Sequence, residues 1–185
     1  MQKKILIIFF FFITSFSSEA SIKKEIINNL KNINNFTFYF KQTISDKEEK
    51  GSCTIQYPKK IFCIYDNKNK KILVSNGKSL VIKNQINDIT YFYPLKKTPL
   101  NLILDKEYLI KQIEKLKLRE INNKYINFLI SSNNNQINIF FDKKNFNLIG
   151  WQIEDMYQNL TVFFISNIKI NQKIDKKIFT LPKIN

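Results

Sequence analysis

Two hydrophobic periods divide the chain. From Ser21 to Asn34 the apolar residues Ile22, Ile26, Ile27, Leu30 and Ile33 fall 4-1-3-3 apart, the spacing of one face of an α-helix. Ser21 is placed to cap its start. The period then drops to two. Phe36, Phe38 and Phe40 alternate with Thr37, Tyr39 and Lys41, which predicts a strand with a Phe-lined face. Asp46 to Lys50 reads as a charged turn. Short strand segments follow at Gly51–Tyr57, Ile61–Asp66, Lys71–Ser75, Ser79–Lys83 and Asp88–Tyr93. More appear at Leu116–Ile121, Tyr125–Ser131, Gln136–Asp142, Leu148–Glu154 and Leu160–Lys169, with a last short one at Ile178–Leu181. Tight turns link them, Asn76-Gly77 being the strongest signal. The reading is about eleven antiparallel strands, with no strand–helix–strand alternation to suggest a parallel sheet.

One interruption shapes the architecture. Thr98-Pro99-Leu100 opens a helix, with Thr98 as cap and Pro99 at the first helical position. It carries Leu100, Ile103 and Leu104. A second helical piece runs from about Lys106 to Lys115, with Tyr108, Leu109 and Ile113. Three apolar-faced helices need a surface to cover. A strongly curved antiparallel sheet with helices across its concave side supplies one, so the expected class is mainly β (α+β).

The N-terminus has a different character. Two lysines precede the unbroken apolar run Ile5 to Ile13, and small residues follow up to Ala20. This is the layout of a secretory signal peptide, and the run is about half the ~20 residues needed to span a bilayer. The expected organisation is therefore a leader over residues 1–20 and one domain over 21–185. An uncleaved anchor is the alternative. Export would place the protein in an oxidising space without ATP pools.

Composition then narrows the function. The formal net charge is +15, carried almost entirely by lysine, with Arg119 the one arginine. Nucleic acid is not an expected partner, because base reading favours arginine forks. A lysine-rich solvated surface explains most of the charge, and attraction to an anionic membrane or an acidic partner is the other reading. The chain has no histidine. That removes the Ser-His-Asp and Cys-His arrangements, His metal sites and the commonest general base. The three glycines, Gly51, Gly77 and Gly150, are far apart and form no phosphate loop. Neither Glu48-Glu49 nor Glu154-Asp155 has the setting of a catalytic pair. The expectation is a binding protein, not an enzyme, with no cofactor and no metal.

Cys53 and Cys63 lie on the two arms of one predicted hairpin with the same parity, so their side chains share a face. In an oxidising compartment a disulfide is the default. Two buried free thiols are the alternative. The spacing is no CxxC redox motif.

The order of motifs resembles the LolA family of periplasmic lipoprotein carriers. The matching stretches are Phe36-x-x-x-Phe40-x-Gln42, Gly51-x-x-x-Ile55-x-x-Pro58 and then Tyr65. After these come Ile72 to Leu80, Tyr91, Thr98-Pro99-Leu100-x-x-Ile103-Leu104 and Ile174-Asp175 before Phe179-x-x-Pro182. The resemblance implies an unclosed antiparallel β-barrel with a helical lid over a cavity for lipoprotein acyl chains. The implied cavity and lid residues are Phe36, Phe38, Phe40, Ile55, Tyr57, Ile61, Leu100, Ile103 and Leu104. The implied partners are lipoprotein acyl chains, an inner-membrane lipoprotein-releasing transporter and an outer-membrane acceptor. The implied state is a monomer in the periplasm. Two positions depart from the family pattern. Tyr57 stands where many relatives carry an arginine that helps hold the lid, and Ile61 stands in place of an aromatic. Phe62 is the neighbouring aromatic, on the opposite face.

Physics gives the carrier reading its own footing. Each CH2 returned to water costs about 0.8 kcal/mol, so acyl chains travel only in an apolar cavity and leave only when it opens. Two rival readings use the same residues: a related-fold periplasmic binder of another lipid or glycolipid, and a structural protein whose helices fill the sheet permanently as core.

Overall fold

Alternation and short turns build most of the chain into one sheet. The computed structural model describes residues 19–132, 135–154 and 160–182. Helix α1 (Glu19–Asn32) leads into strands β1 (Asn35–Ile44), β2 (Lys47–Gln56), β3 (Lys60–Tyr65), β4 (Lys71–Asn76), β5 (Ser79–Asn84) and β6 (Thr90–Pro94). A 3-10 turn (Leu95–Lys97) and helices α2 (Leu100–Ile103) and α3 (Lys106–Lys115) interrupt the strands. The sheet resumes with β7 (Arg119–Ile121), β8 (Tyr125–Ser132), β9 (Asn135–Asp142), β10 (Leu148–Glu154) and β11 (Leu160–Ile170), and a 3-10 turn (Lys176–Phe179) follows.

All eleven strands form one antiparallel sheet in the order β6-β5-β4-β3-β2-β1-β11-β10-β9-β8-β7. It is two meanders joined where β1 meets β11, so the first and last strands lie at its centre and, among the described residues, β6 and β7 are its edges. Ten interstrand steps would make a flat sheet about 48 Å wide. Yet Leu80 on β5 and Ile126 on β8 share one buried cluster with α1, α2 and α3. The sheet therefore curls around the helices without closing. Register shifts in the β1–β11 and β9–β10 pairings add local bend. Two glycines permit close approach at the curl. A Cβ on Gly51 would stand 2.1 Å from the Ile64 carbonyl oxygen, and one on Gly150 would stand 2.2 Å from that of Phe163.

The two longer helices each bury one face. α1 buries Ile22, Ile26, Ile27 and Leu30, and α3 buries Leu109, Ile110 and Ile113. A smaller cluster sits on the outer face. Val74 pairs in register with Phe62 and Val81, and buried Phe179 comes from the C-terminal 3-10 turn beside β3 and β4.

Several local expectations are corrected. Helix α1 begins at Glu19, whose carboxylate accepts from the Leu118 N–H, so Ser21 lies inside the helix rather than at its cap. The charged segment at 46–50 is mostly β2, because Glu48 and Glu49 find lysine partners across the strands. Thr98 is no N-cap; its hydroxyl donates to the Leu95 carbonyl and closes the 3-10 turn, while Pro99 occupies the cap position. The stretch 116–121 is strand only from Arg119. The expected strand at 178–181 is replaced by the 3-10 turn, whose start Asp175 caps through the Lys177 N–H. The leader proposed for 1–20 lies outside the described residues except Glu19 and Ala20, which begin α1.

Candidate functional site

The inner face of the sheet centre is an aromatic wall. Strand alternation points Phe36, Phe38 and Phe40 of β1 inward, each 3% exposed. Phe36 stacks on Phe38 with ring centroids 5.2 Å apart. Phe163 of β11 stacks between Phe40, at 4.8 Å, and Trp151, at 4.4 Å. Ile55 and Ile61, directly paired across β2 and β3, extend the wall. Cys53 and Cys63 are likewise paired in register, and a disulfide joins them inside this face.

Helix α2 joins the same buried cluster as the wall. Ile103 and Leu104 are fully buried, and Leu100 is partly buried against the same core. The interior is thus filled by protein side chains. At the end of the sheet where α1 meets β1, Leu30, Ile33, Phe36, Tyr57, Leu148 and Ile168 line a gap of about 140 Å3. That is about the volume that admits one benzene ring, far short of a long acyl chain.

Polar ties hold α2 and α3 in place, from Lys59 in the β2–β3 turn and from Lys106 at the start of α3. The Lys59 N–H donates to the Leu104 carbonyl at 2.9 Å. Its ammonium pairs with Asp105 at 3.1 Å. Its own carbonyl accepts from the buried Ser75 hydroxyl at 3.0 Å, which fixes the turn to β4. Asp105 also caps α3, accepting from the Tyr108 N–H at 3.1 Å. Lys106 donates to the Lys31 and Ile33 carbonyls at the end of α1, at 3.2 and 2.9 Å. The family resemblance drew attention to Tyr57, before Pro58; the charge that ties the helices sits one residue after that proline. Sequence reasoning missed Lys59, Asp105 and Lys106, because their meeting depends on α2 folding back over the sheet.

Tyr57 makes no hydrogen bond to α2 or α3 through its hydroxyl. Its hydroxyl is buried without a hydrogen-bond partner, and desolvation pushes its pKa above the usual tyrosine value. Its ring packs beside Phe36 at 6.0 Å, with the Lys106 ammonium 5.6 Å from its centroid.

The other end of the sheet is closed by polar groups. The Tyr65 hydroxyl donates to Gln42 at 3.0 Å, and burial raises its pKa, with Glu49 adding to the effect. The Lys71 ammonium sits over the Tyr65 ring at 3.8 Å and pairs with Glu49. Among the described residues no cluster of His, Cys, Asp or Glu is arranged to hold a metal. No described helix is long and apolar enough to cross a membrane.

Residues 31–182 match the family of outer membrane lipoprotein carrier protein LolA. The chain belongs to the LolA family. No curated protein matches it in sequence. An uncharacterized conserved protein from Thermus thermophilus is similar in fold, with a TM-score of 0.53, 7% identity, and coverage of 90% of this chain and 96% of that one. A LolA superfamily protein from Nitrosomonas europaea aligns at a TM-score of 0.49 and 10% identity, over 89% of this chain and 98% of that one. The MucA/MucB complex of Pseudomonas aeruginosa aligns at 0.45 and 8% identity, over 89% of this chain and 61% of that one. Membership of the LolA family accords with a mostly β, unclosed sheet that holds helices against its inner face, and with a general role in binding lipid or lipoprotein.

Proposed function

We propose that this LolA-family protein is a periplasmic carrier that shields lipoprotein acyl chains and moves lipoproteins from the inner to the outer membrane. The observation that carries the reading is the contrast at α2. An apolar helix is buried in the same core as an aromatic wall, yet a few polar ties at one turn hold it there. A bound chain would replace Ile103 and Leu104 against the Phe wall, so lid burial is exchanged for cargo burial, at about 0.8 kcal/mol per CH2. Opening is then limited by the clasp at Lys59 rather than by net loss of apolar contact. An inner-membrane lipoprotein-releasing transporter would load the protein, and an outer-membrane acceptor would unload it. The protein works as a monomer without enzymatic activity.

Depletion in the native host tests this. Lipoproteins should accumulate in the inner membrane, and mass spectrometry of the purified exported protein should find an acylated lipoprotein. Unchanged lipoprotein distribution together with a different bound lipid would favour a carrier of that lipid instead. Protein that holds nothing and whose α2 never leaves the sheet would support permanent core.

A further inference from the structure

Apolar exposure is concentrated on one hairpin. Of twelve exposed large hydrophobic side chains among the described residues, five fall between residues 86 and 93: Ile86, Ile89, Tyr91, Phe92 and Tyr93. Ile86 is 62% exposed and Tyr91 54%. They belong to the β5–β6 turn and to β6, an edge of the sheet among the described residues. Pairing with Leu80 and Ile82 sets Tyr93 and Tyr91 on one face of the edge, and pairing with Val81 sets Phe92 on the other. The edge is therefore aromatic on both faces, unlike a β-sheet edge protected by charge.

The turn is also built to leave water at low cost. Burying a backbone N–H without a partner is expensive. Here Asn84 Oδ1 accepts from the N–H groups of Ile86 and Asn87, at 3.0 and 3.5 Å, and Asn87 Oδ1 accepts from that of Ile89 at 3.4 Å. The Asn84 N–H donates to the Ile89 carbonyl at 2.9 Å. Asp88, the carboxylate of this turn, is matched by Lys83 at 2.6 Å. Lysines flank the apolar strip: Lys68 and Lys70 in the adjacent β3–β4 turn, and Lys96 and Lys97 past the other end of β6. All four are exposed and none has an ion pair among the described residues.

We propose that the β5–β6 hairpin is a docking edge for an anionic phospholipid bilayer, with Ile86, Ile89 and Phe92 entering the interface and the flanking lysines facing headgroup phosphates. Tyrosines beside an apolar tip suit the headgroup level of a bilayer, where one end of the ring is wet and the other dry. Lysine near an anionic surface adds to the attraction. The five residues after Pro94 lead to α2, so docking along β6 brings the lid to the lipid surface. The contact is reversible in character, since a few side chains enter the interface and nothing spans it.

Co-sedimentation of the purified protein with vesicles decides this. Vesicles of phosphatidylcholine with phosphatidylglycerol should retain the protein at low salt, and pure phosphatidylcholine should retain less. An Ile86→Ser, Ile89→Ser protein should lose more than about tenfold in vesicle affinity while its melting temperature and cargo loading stay unchanged. Lys68→Gln with Lys70→Gln should lose about fivefold per lysine on the anionic vesicles, and added salt should do the same to the native protein. Native protein that ignores both vesicle types overturns the proposal, as does an Ile86→Ser, Ile89→Ser protein that binds like the native one. Self-association abolished by Phe92→Ser, without vesicle binding, would identify the edge as an interface between copies and also overturn it.

Discussion

The aromatic wall and helix α2, the proposed lid, are equally buried but differently anchored. Phe38 on β1 and Leu104 after α2 are 3% and 0% exposed. The strand that holds Phe38 is laddered to β2 across its full length and to β11 across most of it. The four-residue helix α2 has no such ladder. Its ties are the Lys59 N–H on the Leu104 carbonyl, one half-exposed ion pair, and the turns on either side. Burial thus does not distinguish the two. Backbone anchoring does, because a strand leaves its place only by breaking many hydrogen bonds together, while a short helix swings on the loops at its ends.

The largest effect expected of this difference is at the wall. Phe38→Ala should cost about 3–5 kcal/mol of global stability, because the rings of Phe36 and Phe163 cannot follow it into the cavity. Urea unfolding reads this directly. A cost under about 1 kcal/mol would show that the wall is as loosely held as the lid.

The disulfide is the next test of wall rigidity. Reduction, or Cys53→Ser with Cys63→Ser, should lower stability by about 2.5 kcal/mol from loop closure alone. Intact mass after alkylation with and without reductant should show two thiols appearing only on reduction. Alkylation of both without reductant would remove the cross-link from the comparison.

The clasp should show a smaller cost in stability and a larger one in opening. Asp105→Ala removes the α3 cap, about 1 kcal/mol, and a partly exposed ion pair contributing at most about 1 kcal/mol more. Concentrated on the lid, that raises the open population roughly tenfold, visible as faster uptake of an apolar dye with a nearly unchanged melting temperature. Equal losses in dye protection and in global stability would mean that lid and wall unfold as one unit.

Tyr57→Phe should have the smallest effect. Its hydroxyl is buried and unpartnered, so removing it leaves stability unchanged or slightly improved, by about 1 kcal/mol at most. Dye uptake should not change. Faster uptake would transfer the clasp from Lys59 to Tyr57.

Much of this molecule was legible in its period. The alternation at Phe36, Phe38 and Phe40 places those side chains on one face whatever the strand pairs with, because the pleat fixes direction locally. The same parity put Cys53 opposite Cys63, and the 3.6 period gave α1 and α3 their buried faces. Local hydrogen bonding misled at Thr98 and at 178–181, where 3-10 turns use the residues that suggested a cap and a strand. The rest was decided in three dimensions. Nothing local states that β1 pairs with β11, that the sheet bends until Leu80 and Ile126 share a core, or that Lys59 meets Asp105. Those contacts join residues far apart in the chain, and their energy exists only after the sheet has curled and the helices have been laid against it. The sequence set which faces are apolar; the curled geometry selected which of those faces is buried against the helices and which edge strand is left exposed.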